Sequence, residues 1–399
     1  MLRVFRSGRP LTQAVLTLCA LWVLCGQALA QDWKTLKPGI EYTEVTKEIS
    51  GLKVNMNLLR LDLTKVRLDV VHAMDAAIGT EKTSSIATRH GAFAAINAGF
   101  FRLDTSLWAG DPVGALISNG RLISESTNDR VAVKIFDDDQ SSTVDMTHIR
   151  LSASVKIGSV TLPDIGINRE RKDNDLVIYT PDFGRFTLTN PDGVEVVVDR
   201  NLRVFSIKPQ SGSSFIPDNG CVLSATGTRS QQLLNAVKDR VRVDLVYEIQ
   251  TLDTEPERLT MVTTERVKKR PSMIIRGSES LVAGVPQLIK NGEIDITWEQ
   301  EKASKSFVET RHPRTAVAKL KDGKFLMITV DGRTESSGGI GLQDLAEYLL
   351  SLGANDAMNL DGGGSSTMFV DGKVVNHPSD KEGERKVGDA ILVTPRKKL

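Results

Sequence analysis

Cysteine is scarce in this chain: three among 399 residues, Cys19, Cys25 and Cys221. Two of them fall in an N-terminal stretch that reads as a removable leader, so a mature chain keeps Cys221 alone and forms no internal disulfide. A single cysteine of this kind reads as a small buried hydrophobe before it reads as a nucleophile. Histidine is scattered as His72, His90, His148, His312 and His377, with no His-Glu-x-x-His or comparable zinc spacing. No Gly-x-Ser-x-Gly elbow occurs, so nothing local marks a serine hydrolase. Excess charge of either sign is also missing. With 51 Lys+Arg against 50 Asp+Glu the net charge is +1, and a dedicated nucleic-acid binder would carry a basic surplus. Aromatics make up only 5%, which leaves the core to Val, Ile, Leu and Ala.

The leader is written in the first thirty residues. Arg3, Arg6 and Arg9 form a basic start, Leu11 to Cys25 is almost wholly apolar, and Ala28-Leu29-Ala30 supplies a small-x-small cleavage site. The apolar run is short for a membrane span of about 20 residues. The expectation is therefore a signal peptide over 1–30, no stable membrane span after its removal, and a periplasmic or extracellular location in a bacterium. No Pro- or Gly-rich linker divides the remainder, so 31–399 reads as one domain, with 126–270 the hardest part to order.

Strand signals dominate. Val54–Leu63 and Val66–Val71 alternate loosely, and Asn119-Gly120, Asp192-Gly193, Asn291-Gly292, Asp322-Gly323 and Asp371-Gly372 read as hairpin turns. Further strands are expected at 131–136, 176–179, 194–198 and 241–249, and short helices at 83–90 and 231–239. The clearest helix is 342–352, where Leu342, Leu345, Ala346, Leu349 and Leu350 share one face and Gly353 stands at the stop. The predicted class is α+β, a sheet-rich mixed fold. Its C-terminal βαβ unit would join the apolar run 325–330 through that helix to 354–360, with the two strands as parallel neighbours.

That unit would bring two aspartates together. Asp331 follows the first strand and Asp361 the second, so both would stand at the carboxyl edge, 5–10 Å apart, the working range of glycosidase carboxylates. Gly362, Gly363 and Gly364 then look like a loop with backbone N–H groups free for an anion, with Ser365 and Ser366 adding hydroxyls. No Gly-Lys-Ser/Thr follows, so the loop is no Walker motif. Asn97, in Ala95-Ile96-Asn97-Ala98-Gly99-Phe100-Phe101, could hold a sugar hydroxyl or cap a turn. Arg311-His312-Pro313-Arg314-Thr315-Ala316 offers guanidinium groups for a phosphate or carboxylate, Arg314 above all.

In this order the segments resemble the phosphodiester glycosidase family. The resemblance is carried by Ile96–Phe101, Gly284–Gly292, Arg311–Ala316, Val330–Arg333, Ala357–Met368 with its Asn-Leu-Asp-Gly-Gly-Gly-Ser-Ser run, and Val387-Gly388-Asp389-Ala390. It covers about 280–395 and 50–125. The middle segment is similar to bacterial members linked by name to exopolysaccharide biosynthesis. Ala318 stands where the family pattern leads one to expect glycine. The resemblance implies an exported hydrolase that cleaves between an anomeric carbon, expected to be an N-acetylhexosamine's, and a phosphodiester of a phosphorylated glycan. It places Asp361 and Asp331 in the catalytic roles. Substrate contacts fall to Asn97, Gly99, Arg314, Thr315, Gly362, Gly363, Gly364, Ser365, Ser366 and Asp389. The resemblance names no definite cofactor, and Asp331, Asp361 and Asp389 leave a divalent cation, Ca²⁺ or Mg²⁺, open. Two other readings stand beside it: a noncatalytic module binding cell-wall or capsular glycan, and a wall-polymer transferase.

Overall fold

A computed structural model describes residues 31–252, 259–261 and 278–397. The leader expected over 1–30, with Cys19 and Cys25, lies outside the described residues. The chain divides into two compact units, Met1–Lys34 and Thr35–Leu399, and the sheets described here belong to the second.

The predicted α+β class is wrong. Strand accounts for 46% of the chain and helix for 11%, in four short helices among the described residues, so the protein is mostly β. The physical reason lies in how the apolar faces are covered. Sheets bury one another's inner faces, and only the amphipathic helix Leu342–Ser351 offers a wide apolar stripe. That helix ends where the sequence indicated, with Gly353 at φ +88°. The helix expected at 231–239 begins earlier, at Gly227, and stops at Ala236.

The sheet that carries the site runs, from the Ile40–Ile49 strand, through Leu52–Leu61, Phe325–Val330, Arg314–Leu320 and Ala354–Asn359 to Gln287–Lys290. The strands Phe325–Val330 and Ala354–Asn359 are therefore not neighbours. Arg314–Leu320 lies between them and is antiparallel to both. Asp322-Gly323 explains this: the turn folds 325–330 directly back onto 314–320, and Leu52–Leu61 takes its other side. The helix return can then reach only the far edge of 314–320. The ends of the two aspartate-bearing strands consequently stand two strand spacings apart, roughly 10 Å, rather than one. Ala318 is four positions along its strand from Arg314, about 13 Å away, and does not bear on it.

A second sheet orders Met368–Val370, Ala94–Asn97, Asp389–Pro395 and Val66–His72 side by side. It brings Asn97 and Asp389 up beside the first sheet's edge. The middle segment is sheet as well, built on the sixteen-residue strand Ser142–Ile157 and on Leu176–Tyr179, Val194–Val198 and Cys221–Ala225. Cys221 is buried there, and burial pushes its thiol up to about 12, out of reach of nucleophilic chemistry. Four of the five dipeptide turns join paired strands. Asp192-Gly193 instead leads into a strand without closing a hairpin.

Candidate active site

Three chain segments meet at one edge. Leu360 N–H donates to Thr315 O (2.8 Å), and Asp361 N–H donates to Ala98 O (2.9 Å). Gly363 N–H donates to Pro313 O (2.8 Å). The Asp361 loop is thereby stitched to the Arg314 strand on one side and to the Asn97–Gly99 segment on the other.

Asn97 is the knot of this stitching. It is fully buried, its Nδ2 donates to Asp361 O (2.6 Å), and its Oδ1 accepts from Thr315 Oγ1 (2.8 Å) and Thr367 N–H (3.0 Å). Both acceptor positions of the carboxamide oxygen are filled, so Asn97 and Thr315 hold the loop rather than a sugar hydroxyl.

The glycines also have a different use from the one expected. Gly362 N–H donates to Asp361 Oδ1 (2.9 Å) and Gly363 N–H to Pro313 O, so two of the three supposed anion donors are spent inside the loop. Close approach requires the missing side chains. A Cβ on Gly362 would lie 2.8 Å from Pro313 O, and one on Gly364 about 2 Å from the paired Asp380 and Arg385 side chains. Gly363 sits at φ +61° beside Arg333. Gly362→Ala is therefore expected to cost about 1–3 kcal/mol, because a backbone carbonyl must move to admit the methyl group. Denaturant unfolding measures it, and a variant as stable as the parent would contradict this packing.

Asp361 is half-buried, and burial pushes its carboxyl up to about 6 against the opposing pull of Ser365, Gly362 N–H and Arg385. Ser365 Oγ faces that carboxyl without meeting hydrogen-bond geometry. Ser365, Ser366 and Thr367 all have buried hydroxyl oxygens with no hydrogen-bond partner among the described residues. Three such orphans in a row are unusual in a settled core and mark this loop as built for something other than stability. Asp389, 1% exposed, accepts from Gly99 N–H at Oδ1 (2.5 Å), while its Oδ2 is another buried orphan. Burial, followed by repulsion from Asp361, pushes it up to about 7.

Asp361 and Asp389 therefore act on each other electrostatically, while the strands that lead to Asp331 and Asp361 are separated by Arg314–Leu320. Asp331 accepts from His377 N–H (3.0 Å) and Asn376 Nδ2 (3.3 Å), and burial raises its carboxyl. Among the described residues no three His, Cys, Asp or Glu side chains group to hold a metal ion.

Arg314 is the most unusual group. It is 1% exposed, donates through Nη2 to Phe307 O (2.6 Å) and Thr310 O (2.9 Å) and through Nε to Ile340 O (3.3 Å), and lies 4.9 Å over the Phe307 ring. No carboxylate pairs with it among the described residues, and its Nη1 makes no hydrogen bond there. Burial, followed by the charge of Arg333, brings it down to about 10, which still leaves it cationic at neutral pH. Arg333 is exposed and contacts His312 Nδ1 (3.3 Å); burial, Arg314 and Arg333 together hold that imidazole below its usual range. Phe100 meets Phe307 edge to face at 6.1 Å.

Sequence reasoning passed over Arg333, Arg385, Asp380, His312 and the Phe100–Phe307 wall. Arg333 stood inside a quoted motif. Arg385 and Phe307 lie in polar runs where nothing local separates them from a solvated surface. The arrangement offers one ionisable carboxylate at the edge and unpaired guanidinium groups beside it, which suits acid–base chemistry next to an anionic leaving group.

The family model described as phosphodiester glycosidase matches residues 192–394. The bovine protein N-acetylglucosamine-1-phosphodiester alpha-N-acetylglucosaminidase is 39% identical over 109 residues, 25% of this chain and 20% of that protein. Its human counterpart is 39% identical over 110 residues, 25% and 21% of the two chains. This chain thus aligns with only about a fifth of the length of these curated relatives. Two solved structures share the fold. A hypothetical protein from Synechocystis has a TM-score of 0.73 at 23% identity, covering 93% of this chain and 64% of that one. A Burkholderia pseudomallei protein described as exported has a TM-score of 0.71 at 24% identity, covering 86% and 74%. Among the described residues no helix is long and apolar enough to cross a membrane. With the family model spanning just over half its length, the chain belongs to the phosphodiester glycosidase family.

Proposed function

We propose that this chain is an exported hydrolase that splits the bond between the anomeric carbon of an N-acetylhexosamine and a phosphodiester oxygen. The observation that carries this reading is the buried, carboxylate-free Arg314, whose stem lies against Gly362 of the Asp361 loop, together with an Asp361 carboxyl that burial raises to about 6. A cation left unpaired in a protein interior is costly unless an anion arrives to meet it.

In the proposed reaction Asp361 takes a proton from water as the water oxygen bonds to C1. The C1–O bond breaks and its electron pair leaves with the phosphate, which departs as a monoester, while the proton stays on Asp361. A phosphate is already a good leaving group, so it needs charge stabilisation more than a strong acid, and Arg314 and Arg333 supply it. Asp331, two strands away, serves a sugar hydroxyl instead of the reacting carbon. Asn97, Thr315 and Gly362 fix the Asp361 loop, and Gly99 makes room for Asp389.

Hydrolysis of a chromogenic α-N-acetylglucosamine 1-phosphodiester by the purified protein tests the reading. Release of free sugar and a phosphomonoester is the expected result. Binding of the ester without turnover would favour the glycan-binding module, and transfer of the sugar to an added alcohol in place of water would favour the transferase.

A further inference from the structure

Asp389 opens the strand Asp389–Pro395, which pairs with Ala94–Asn97 on one side and Val66–His72 on the other. Its main chain and side chain both grip the segment that carries Asp361. Ala98 N–H donates to Asp389 O (3.2 Å) and Gly99 N–H to Asp389 Oδ1 (2.5 Å), and Ala98 O in turn accepts from Asp361 N–H (2.9 Å). The fit at this point is tight. A Cβ on Gly99 would lie 3.0 Å from Asp389 Oδ2 and 3.0 Å from Val282 Cγ2. The grip is thus a single carboxyl reaching under a glycine where an added methyl would press on both Asp389 and Val282.

The surroundings decide the charge of that carboxyl. The titratable and charged groups around the pair are Asp361 itself, Arg385, which acts on Asp361, and His72, opposite Asp389 in the register. His72 is buried, with its ring nitrogens at Ala73 O (3.1 Å) and Gly110 O (2.9 Å), and burial holds it neutral. No cation pairs with Asp389 among the described residues. One donated hydrogen bond cannot sustain an ionised carboxylate in an apolar interior, so the neutral form is the one that fits.

We propose that Asp389 is the positioning residue for Asp361: a buried carboxyl, favoured in its neutral form by its apolar surroundings, that clamps the Ala98–Gly99 segment on which Asp361 hangs. This rests on Asp361 being the group that works on the substrate. Asp389 itself is buried and takes no proton from the reactants. Its burial also explains a geometry that would otherwise be wasteful. Were Asp389 ionised, two carboxylates would repel each other beside a phosphate, and the incoming anion would be opposed. Kept neutral, Asp389 leaves one negative charge at the edge, where the base belongs.

The test uses the whole protein with Asp389→Asn and Asp389→Ala. Asparagine keeps the shape and the acceptor for Gly99 N–H but cannot ionise. On the chromogenic phosphodiester its kcat is expected to stay within about threefold of the parent near pH 6. It is also expected to hold to about pH 9, whereas the parent declines more than about tenfold as Asp389 loses its proton. Alanine removes the clamp, and kcat should fall about 100-fold with KM changed less than about threefold, the pattern of a misplaced base rather than lost binding. An Asp389→Asn variant as inactive as Asp361→Asn would overturn the proposal by making Asp389 a direct participant. An alanine variant with parental kcat would overturn it by showing that the clamp is idle.

Thermal unfolding provides an arm that needs no substrate. A carboxyl whose folded-state pKa is raised binds its proton more tightly folded than unfolded. Stability is therefore lost as pH rises from the ordinary carboxylate range to about 7, and is level beyond. The parent should lose Tm across that window and Asp389→Asn should lose clearly less. Parallel curves would overturn the neutral-carboxyl assignment whether or not any ester is hydrolysed. Failure of the parent to hydrolyse any sugar phosphodiester would instead overturn the reading of Asp361.

Discussion

Asp361→Asn is expected to lower kcat on an α-N-acetylglucosamine 1-phosphodiester by about 10³-fold while leaving KM within about threefold. The amide keeps the oxygen that accepts from Gly362 N–H, and the loop is otherwise held through main-chain groups, by Asn97 on Asp361 O and Ala98 on Asp361 N–H. The geometry of the edge should therefore survive while the proton acceptor is lost. Stability gives the control. Because burial raises the Asp361 carboxyl to about 6, its ionised form is the less favourable one in the folded state, and stability falls as pH rises toward that value. At pH 8 the neutral asparagine should unfold no earlier than the parent. Lost turnover with an unchanged Tm would place the defect in the chemistry. Turnover within tenfold of the parent would remove Asp361 from the role of base.

The strands were largely legible because alternation and turn chemistry are local properties. Asn119-Gly120, Asn291-Gly292 and Asp371-Gly372 adopt positive φ at both turn residues, which is the reason such dipeptides signal hairpins. The order of strands was less so, although one clue was present. Asp322-Gly323 implies that 325–330 pairs with the strand before it, and with Leu52–Leu61 on its other edge no side is left for 354–359. Helical periodicity at 342–351 was real but carried too much weight in the class, since one amphipathic helix covers only part of one sheet face.

The site was legible as a set of residues and obscure as a set of roles. Asp361, Asn97, Arg314 and Asp389 do converge, yet what each does depends on partners far away in sequence. Gly362 and Gly364 look like freedom when read alone; only the Pro313 carbonyl and the Asp380–Arg385 pair turn them into a packing requirement. Asn97 looks available until Thr315 and Thr367 fill its oxygen. Asp389 looks peripheral until its strand places it under Gly99, 290 residues distant. Side-chain roles of this kind are set by tertiary contacts, and no local pattern encodes them.

Arg314→Lys carries the second large effect, a fall in kcat/KM of about 10²–10³-fold. Charge is conserved in this substitution, so the loss would come from geometry. The guanidinium reaches three main-chain carbonyls at once, on Phe307, Thr310 and Ile340, with its Cζ 4.9 Å from the centre of the Phe307 ring, which leaves Nη1 free of these bonds. An ammonium has three donors on one atom and cannot keep those carbonyls bonded while also presenting a donor to a phosphate. Lost hydrogen bonds in a buried place should lower stability by about 1–3 kcal/mol, so activity must be read well below the variant's Tm. Inorganic phosphate separates the two effects. It should inhibit the parent competitively and the variant far more weakly, because on this reading the fixed donor of Arg314 is what holds it. Equal inhibition of both proteins, or a kcat/KM within threefold of the parent, would mean that Arg314 braces the 307–310 turn and that the phosphate is met by Arg333 instead.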